Sequence, residues 1–159
     1  MIVRRFEYHQ VLPISQHAAW EFFSQPMNLA KITPAEMHFE HIDGEDGPIY
    51  AGQIFTHRVR PMFRIPVRWT SEIAHVSAPH YFTDRQVAGP FAHWQHLHRF
   101  EAVDAEHTRV IDVVHCALPA GMLGDFVGKS WMNRLLDQTF AHRHSALQEL
   151  FFSSPRNDD

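Results

Sequence analysis

A two-residue alternation of apolar and polar positions runs through the middle of the chain, and a helical period replaces it near the end. Residues 89–101 open on the turn signal Gly89-Pro90 and continue as a strand. It places Trp94, His96, His98 and Phe100 on one face, and Gln95, Leu97, Arg99 and Glu101 on the other. The same reading predicts strands over 3–11, 37–42, 53–60, 66–76, 81–87, 92–103 and 109–118, punctuated by Gly44, Gly47, Pro48, Pro61, Pro79 and Gly89. After the first strand, Ser15 is placed to cap a short helix carrying Ala18, Ala19, Phe22 and Phe23. Pro26 opens a second short helix that Pro34 closes. Over 122–152, Leu123, Val127, Trp131, Leu135, Leu136, Phe140, Leu147 and Phe151 form one apolar stripe.

One strand, two short helices, a run of strands and a long amphipathic helix describe an α+β domain with its helices on one side of an antiparallel sheet. A single domain over 1–152 is expected, followed by a frayed polar tail at 153–159. A six- or seven-stranded sheet curled around one long helix leaves space between them, which makes a candidate ligand cavity.

Composition narrows the class. The chain of 159 residues carries thirteen Phe, four Trp and three Tyr, ring surface that suits a lined interior or a dense core. Its net charge of −4 provides no basic field for nucleic acid. A single Cys116 fits a reducing compartment, and no stretch reads as a leader or a membrane span, so a cytoplasmic monomer or homodimer is expected.

Candidate chemistry gathers on the hairpin of the last two strands. Pairing about its middle sets His98 opposite Asp112, His96 opposite Val114 and Trp94 opposite Cys116, all on one face. A His98–Asp112 pair could serve as a general acid and base; in the plainer reading Asp112 satisfies a buried histidine. The His-x-His pattern also suits a metal, with His57, His75 or Asp112 as a third ligand. The chain has no HExxH motif or cysteine pair, and no metal or other cofactor is expected.

His142 and His144 do not share a helical face, and His115 should point outward. Gly124 and Gly128 either permit close helix–sheet packing, the plainer reading, or form a flexible gate near the start of the last helix. Arg58, Arg60, Arg64 and Arg68 form a basic cluster, either a solvated rim or a clamp for an anionic head group at a cavity mouth. The nominated lining is Phe55, Trp69, Phe82, Trp94, Phe100, Trp131 and Phe140, with His96, His98 and Cys116.

The order of elements resembles the helix-grip fold of the START/polyketide-cyclase/birch-pollen-allergen (SRPBCC) superfamily. The residues Arg68-Trp69, Phe82-x-Asp84-x-Gln86, Gly89-Pro90-Phe91, Trp94-x-His96-x-His98-x-Phe100-Glu101, Asp112-x-Val114, Leu118-Pro119 and Phe140-x-x-Arg143-His144-x-x-Leu147 sharpen the likeness to its bacterial cyclase/dehydrase-like ligand-binding members. Cys116 stands where that pattern has an aromatic, and Ala120 where it has a large residue. The resemblance implies a curved sheet around the last helix and a cavity for a hydrophobic or amphipathic molecule, aromatic, lipid-like or polyketide-like. It leaves open a cyclase- or dehydratase-type enzyme without a nucleotide cofactor, and an interaction module for a partner enzyme.

Overall fold

The computed structural model describes residues 1–45, 47–62, 65–119 and 125–152. The expected tail at 153–159, the start of the last helix with Gly124, Ala120 and Arg64 lie outside the described residues. In chain order the elements are β1 (Arg4–Leu12), α1 (Gln16–Phe23), 3₁₀ turns at Pro26–Ile32 and Ala35–Met37, β2 (Glu40–Asp43), β3 (Ile54–Met62), β4 (Ile65–Ser77), β5 (Tyr81–Ala88), β6 (His93–Ala102), β7 (Thr108–Ala117) and α2 (Asp125–Phe152). The seven strands form one antiparallel sheet in the order β1-β7-β6-β5-β4-β3-β2. Chain neighbours pair along β2 to β7, and β1 closes the far edge against β7.

Local chemistry accounts for most boundaries. The Ser15 hydroxyl accepts a hydrogen bond from the Ala18 amide at 3.2 Å, which caps α1 as its position in the sequence predicts. The second short helix is 3₁₀ rather than α. A strand was expected from residue 37. Instead Ala35–Met37 makes one more 3₁₀ turn and His38 takes the left-handed region at φ 45°, so β2 begins only at Glu40.

Two core clusters hold α1 and α2 to the same face of the sheet. In one, Trp20 and Phe23 of α1 pack on Phe100 at ring distances of 6.0 and 5.2 Å, with Leu12, Ile73, Val110 and Leu147 around them. In the other, Met132, Leu136 and Phe140 of α2 pack on Phe91, Val114 and Cys116. The two clusters lie along one continuous face, and a cavity opens between that face and α2.

Candidate functional site

A cavity of about 180 Å³ lies between β3–β6, the 3₁₀ segment and α2. Its walls are mostly apolar. Trp69, Phe91 and Trp94 form an aromatic corner, with Trp69 and Trp94 edge to face at 4.9 Å and Phe91 at 5.4 and 4.9 Å from them. Gln86 fixes that corner. Its side-chain amide donates to the Phe91 carbonyl at 2.7 Å, and its carbonyl accepts from the Phe91 amide at 3.2 Å. A Cβ on Gly89 would sit 2.4 Å from the Gln86 oxygen. Gly89→Ala is therefore expected to break this clamp and lower stability by about 1–2 kcal/mol in urea unfolding. Because both changes remove the same two bonds, Gln86→Ala and the double variant should lose no more than the single one.

The polar end of the cavity is a cluster of four buried groups and the half-buried Asp84. His96 and His98 are 5% and 6% exposed, and Asp112 and Arg143 are 5% and 7%. The two imidazoles lie 3.7 Å apart, centroid to centroid, and Phe82 stacks on His98 at 4.3 Å. His96 Nε2 is bonded to Asp112 Oδ1 at 2.8 Å, and His98 Nε2 to Asp84 Oδ2 at 3.0 Å. Each bond runs diagonally, since the register sets His98 opposite Phe82 and Asp112, and His96 opposite Asp84 and Val114. The contact expected from the sequence, His98 Nδ1 to Asp112 Oδ1, is short at 3.0 Å but off the hydrogen-bonding direction. Arg143 of α2 donates to the same Asp112 oxygen at 3.3 Å and lies 4.8 Å above the Phe140 ring.

Charge is balanced within the cluster. Burial works to raise the Asp112 carboxyl, but Arg143 first and the two histidines next hold it well below the usual carboxylate range. Asp84 is likewise lowered, because its His98 bond and the nearby imidazoles outweigh its burial. Burial opposes a charge on His98, yet its contacts with Asp112 and Asp84 prevail and raise its pKa. His96 goes the other way, lowered by burial and by its charged neighbour His98. Two carboxylates thus face one guanidinium and two imidazoles, and such partners are how buried ionic groups are tolerated.

Of the residues nominated from sequence, Phe55, Trp69, Phe82, Trp94, His96, His98 and Phe140 line the cavity. Phe100 does not: α1 covers it, and at 1% exposure it belongs to the core. Cys116 is fully buried beneath Met132, whose sulfur lies 3.3 Å away, and burial pushes its thiol up to about 12. Trp131 packs on that same cluster, one turn before the cavity-facing Leu135 and Leu136. Asp112 stands behind the histidines, in a crevice between β1 and α2 lined also by Tyr8, Gln10, Asp137 and His144.

Among the candidate third ligands, His75 is turned outward onto Tyr81 because a bulge between Ile73 and His75 reverses the strand's parity. His57 lines the cavity among Phe39 and Phe55, 4% exposed, with neither ring nitrogen hydrogen-bonded. Arg58 pairs with Glu40 at the exposed edge, and Arg60 and Arg68 are also exposed. The cavity's arginine is Arg143. Asp84 and Arg143 were not nominated. Their signals were the alternation Phe82-x-Asp84, which puts the carboxylate beside a cavity aromatic, and the helical spacing Phe140-x-x-Arg143.

No protein-family model and no curated protein matches this chain. Solved structures do match, across nearly the whole chain. The Zhui aromatase/cyclase from Streptomyces sp. R1128 superposes with a TM-score of 0.74 at 16% identity, covering 96% of this chain and 99% of that one. A START superfamily protein from Mycobacterium smegmatis gives 0.70 at 11% identity, covering 94% and 97%. Norcoclaurine synthase from Thalictrum flavum, in complex with dopamine and hydroxybenzaldehyde, gives 0.64 at 11% identity, covering 98% and 90%. Among the described residues no helix is long and apolar enough to cross a membrane. A seven-stranded antiparallel sheet closed over by one long C-terminal helix, matched along nearly the whole chain by these structures, is a helix-grip fold.

Proposed function

We propose that the chain binds an amphipathic small molecule in the cavity between sheet and α2, with its apolar body against Trp69, Phe91 and Trp94. Its polar end would meet Asp84, His96, His98 and Arg143. The observation that carries this reading is the cavity itself: aromatic walls around a confined space, with buried charge collected at one end. Sites for small organic molecules combine those two features. His57 adds a second polar point, since its unpartnered nitrogens can accept from and donate to a ligand hydroxyl. The fold neighbours lend support, because norcoclaurine synthase holds two aromatic compounds.

An acid–base role for His98 is the second reading, supported by its place on the cavity wall and its two carboxylate neighbours. Both nitrogens of that ring already face carboxylates, so binding comes first. Native mass spectrometry of the protein purified from its own host should find an organic molecule retained at one per chain. Protein that carries nothing, and takes up no aromatic amphiphile when offered one, would overturn the proposal.

A further inference from the structure

We infer that Asp84, His96 and His98 form a binding site for a divalent transition-metal ion at the polar end of the cavity. The sequence pattern offered His57, His75 or Asp112 as the third ligand beside the two histidines; the fold instead brings Asp84 to them from the neighbouring strand. One ligating atom from each of the three residues lies within 4.8 Å of the other two. Asp84 Oδ2 is 3.0 Å from His98 Nε2 and 3.8 Å from His96 Nδ1. Atoms bound about 2.0–2.2 Å from a common ion stand at similar separations, so small side-chain shifts would bring all three into range.

The second nitrogens point the same way. His96 Nε2 and His98 Nδ1 both face Asp112 Oδ1, at 2.8 and 3.0 Å. Asp112 therefore stands behind both rings, hydrogen-bonded to His96 and in close ionic contact with His98, while their other nitrogens lie toward Asp84. Histidine ligands are commonly held in this way, the far nitrogen on a carboxylate and the near one on the metal. Arg143 is bonded to Asp112 and leaves Asp84 without a Lys or Arg partner among the described residues.

Two imidazoles and one carboxylate are the donor set of zinc and of iron(II), cobalt(II) or nickel(II) sites, not of calcium or magnesium. Three ligands on two adjacent strands leave further coordination positions, and all three residues line the cavity. An oxygen-bearing ligand could therefore bind to the metal directly. The site rests on these side chains alone and stands whether or not the cavity holds an organic molecule.

The test is a cobalt(II) titration followed by visible absorption and equilibrium dialysis, with Asp84→Asn and the surface control His75→Gln. Wild type and His75→Gln should bind one ion per chain alike, and Asp84→Asn should bind it at least about tenfold more weakly. Equal binding by wild type and Asp84→Asn would overturn the site. If Asp84→Asn does not fold, the wild-type protein decides alone. Cobalt(II) should broaden the indole NH resonance of Trp94, whose ring is 6.4 Å from that of His96, before those of Trp20 and Trp131. Broadening that begins at Trp20 or Trp131, or at none of these, would overturn the site equally.

Discussion

Replacing Arg143 with methionine is expected to destabilise the fold by about 3–5 kcal/mol, the cost of leaving a buried carboxylate without its cation. Asp112 is 5% exposed, and Arg143 is the largest influence keeping it ionised. Methionine keeps much of the arginine stem's packing on Phe140, which confines the effect to charge. The double variant Arg143→Met/Asp112→Asn should recover part of the loss, because no buried carboxylate then remains at residue 112. Denaturant midpoints at constant slope check both statements. An Arg143→Met loss under about 1 kcal/mol, the scale of an exposed ion pair, would mean that Asp112 reaches water through the β1–α2 crevice.

His57→Phe is expected to remove a large acid-induced loss of stability. Burial, and to a lesser extent the nearby His41, lower its pKa from 6.5 to about 4, with Asp84 acting weakly in the opposite direction. Between those values the unfolded chain takes up a proton that the native one refuses. Stability therefore falls as the pH drops from 6.5 toward 4, by about 3 kcal/mol in all, and is unaffected above that range. Phenylalanine at this position, beside Phe39 and Phe55, removes that loss and two unpartnered polar atoms with it. Thermal melts at pH 7 and pH 4.5 should show the variant ahead at both, with the wider gap in acid. The same change should weaken binding of any ligand that His57 contacts. An equal response of the two proteins to acid would contradict the account of His57 as a neutral buried ring.

Much of this was legible in the chain. The alternation over 92–103 placed Trp94, His96 and His98 on one face, and the hairpin register His98 opposite Asp112 is as expected. Periodicity reports which side of a strand a residue occupies, and it did so correctly wherever the strand stayed regular. The bulge at Ile73/His75 broke that rule, because one inserted residue turns His75 outward and nothing in its composition announces it. Periodicity also does not say what covers a face. Phe100 shares its face with Trp94, yet α1 folds down on it and leaves the cavity to the other end of β6. The diagonal His96–Asp112 and His98–Asp84 bonds depend on side-chain lean, which a register alone does not determine. Arg143 joins the cluster through the docking of α2, a contact separated from Asp112 by 31 residues.

The central claim, an amphipathic ligand held between sheet and helix, is tested most directly by titration with 1-anilinonaphthalene-8-sulfonate. Its rings suit the Trp69–Phe91–Trp94 corner and its sulfonate suits Arg143. Wild type should bind one probe per chain with a blue-shifted, saturable emission, and Thr139→Trp, which fills the cavity from α2, should abolish that site while remaining folded. Saturable binding that Thr139→Trp leaves intact, or no binding by the wild-type protein, would contradict it.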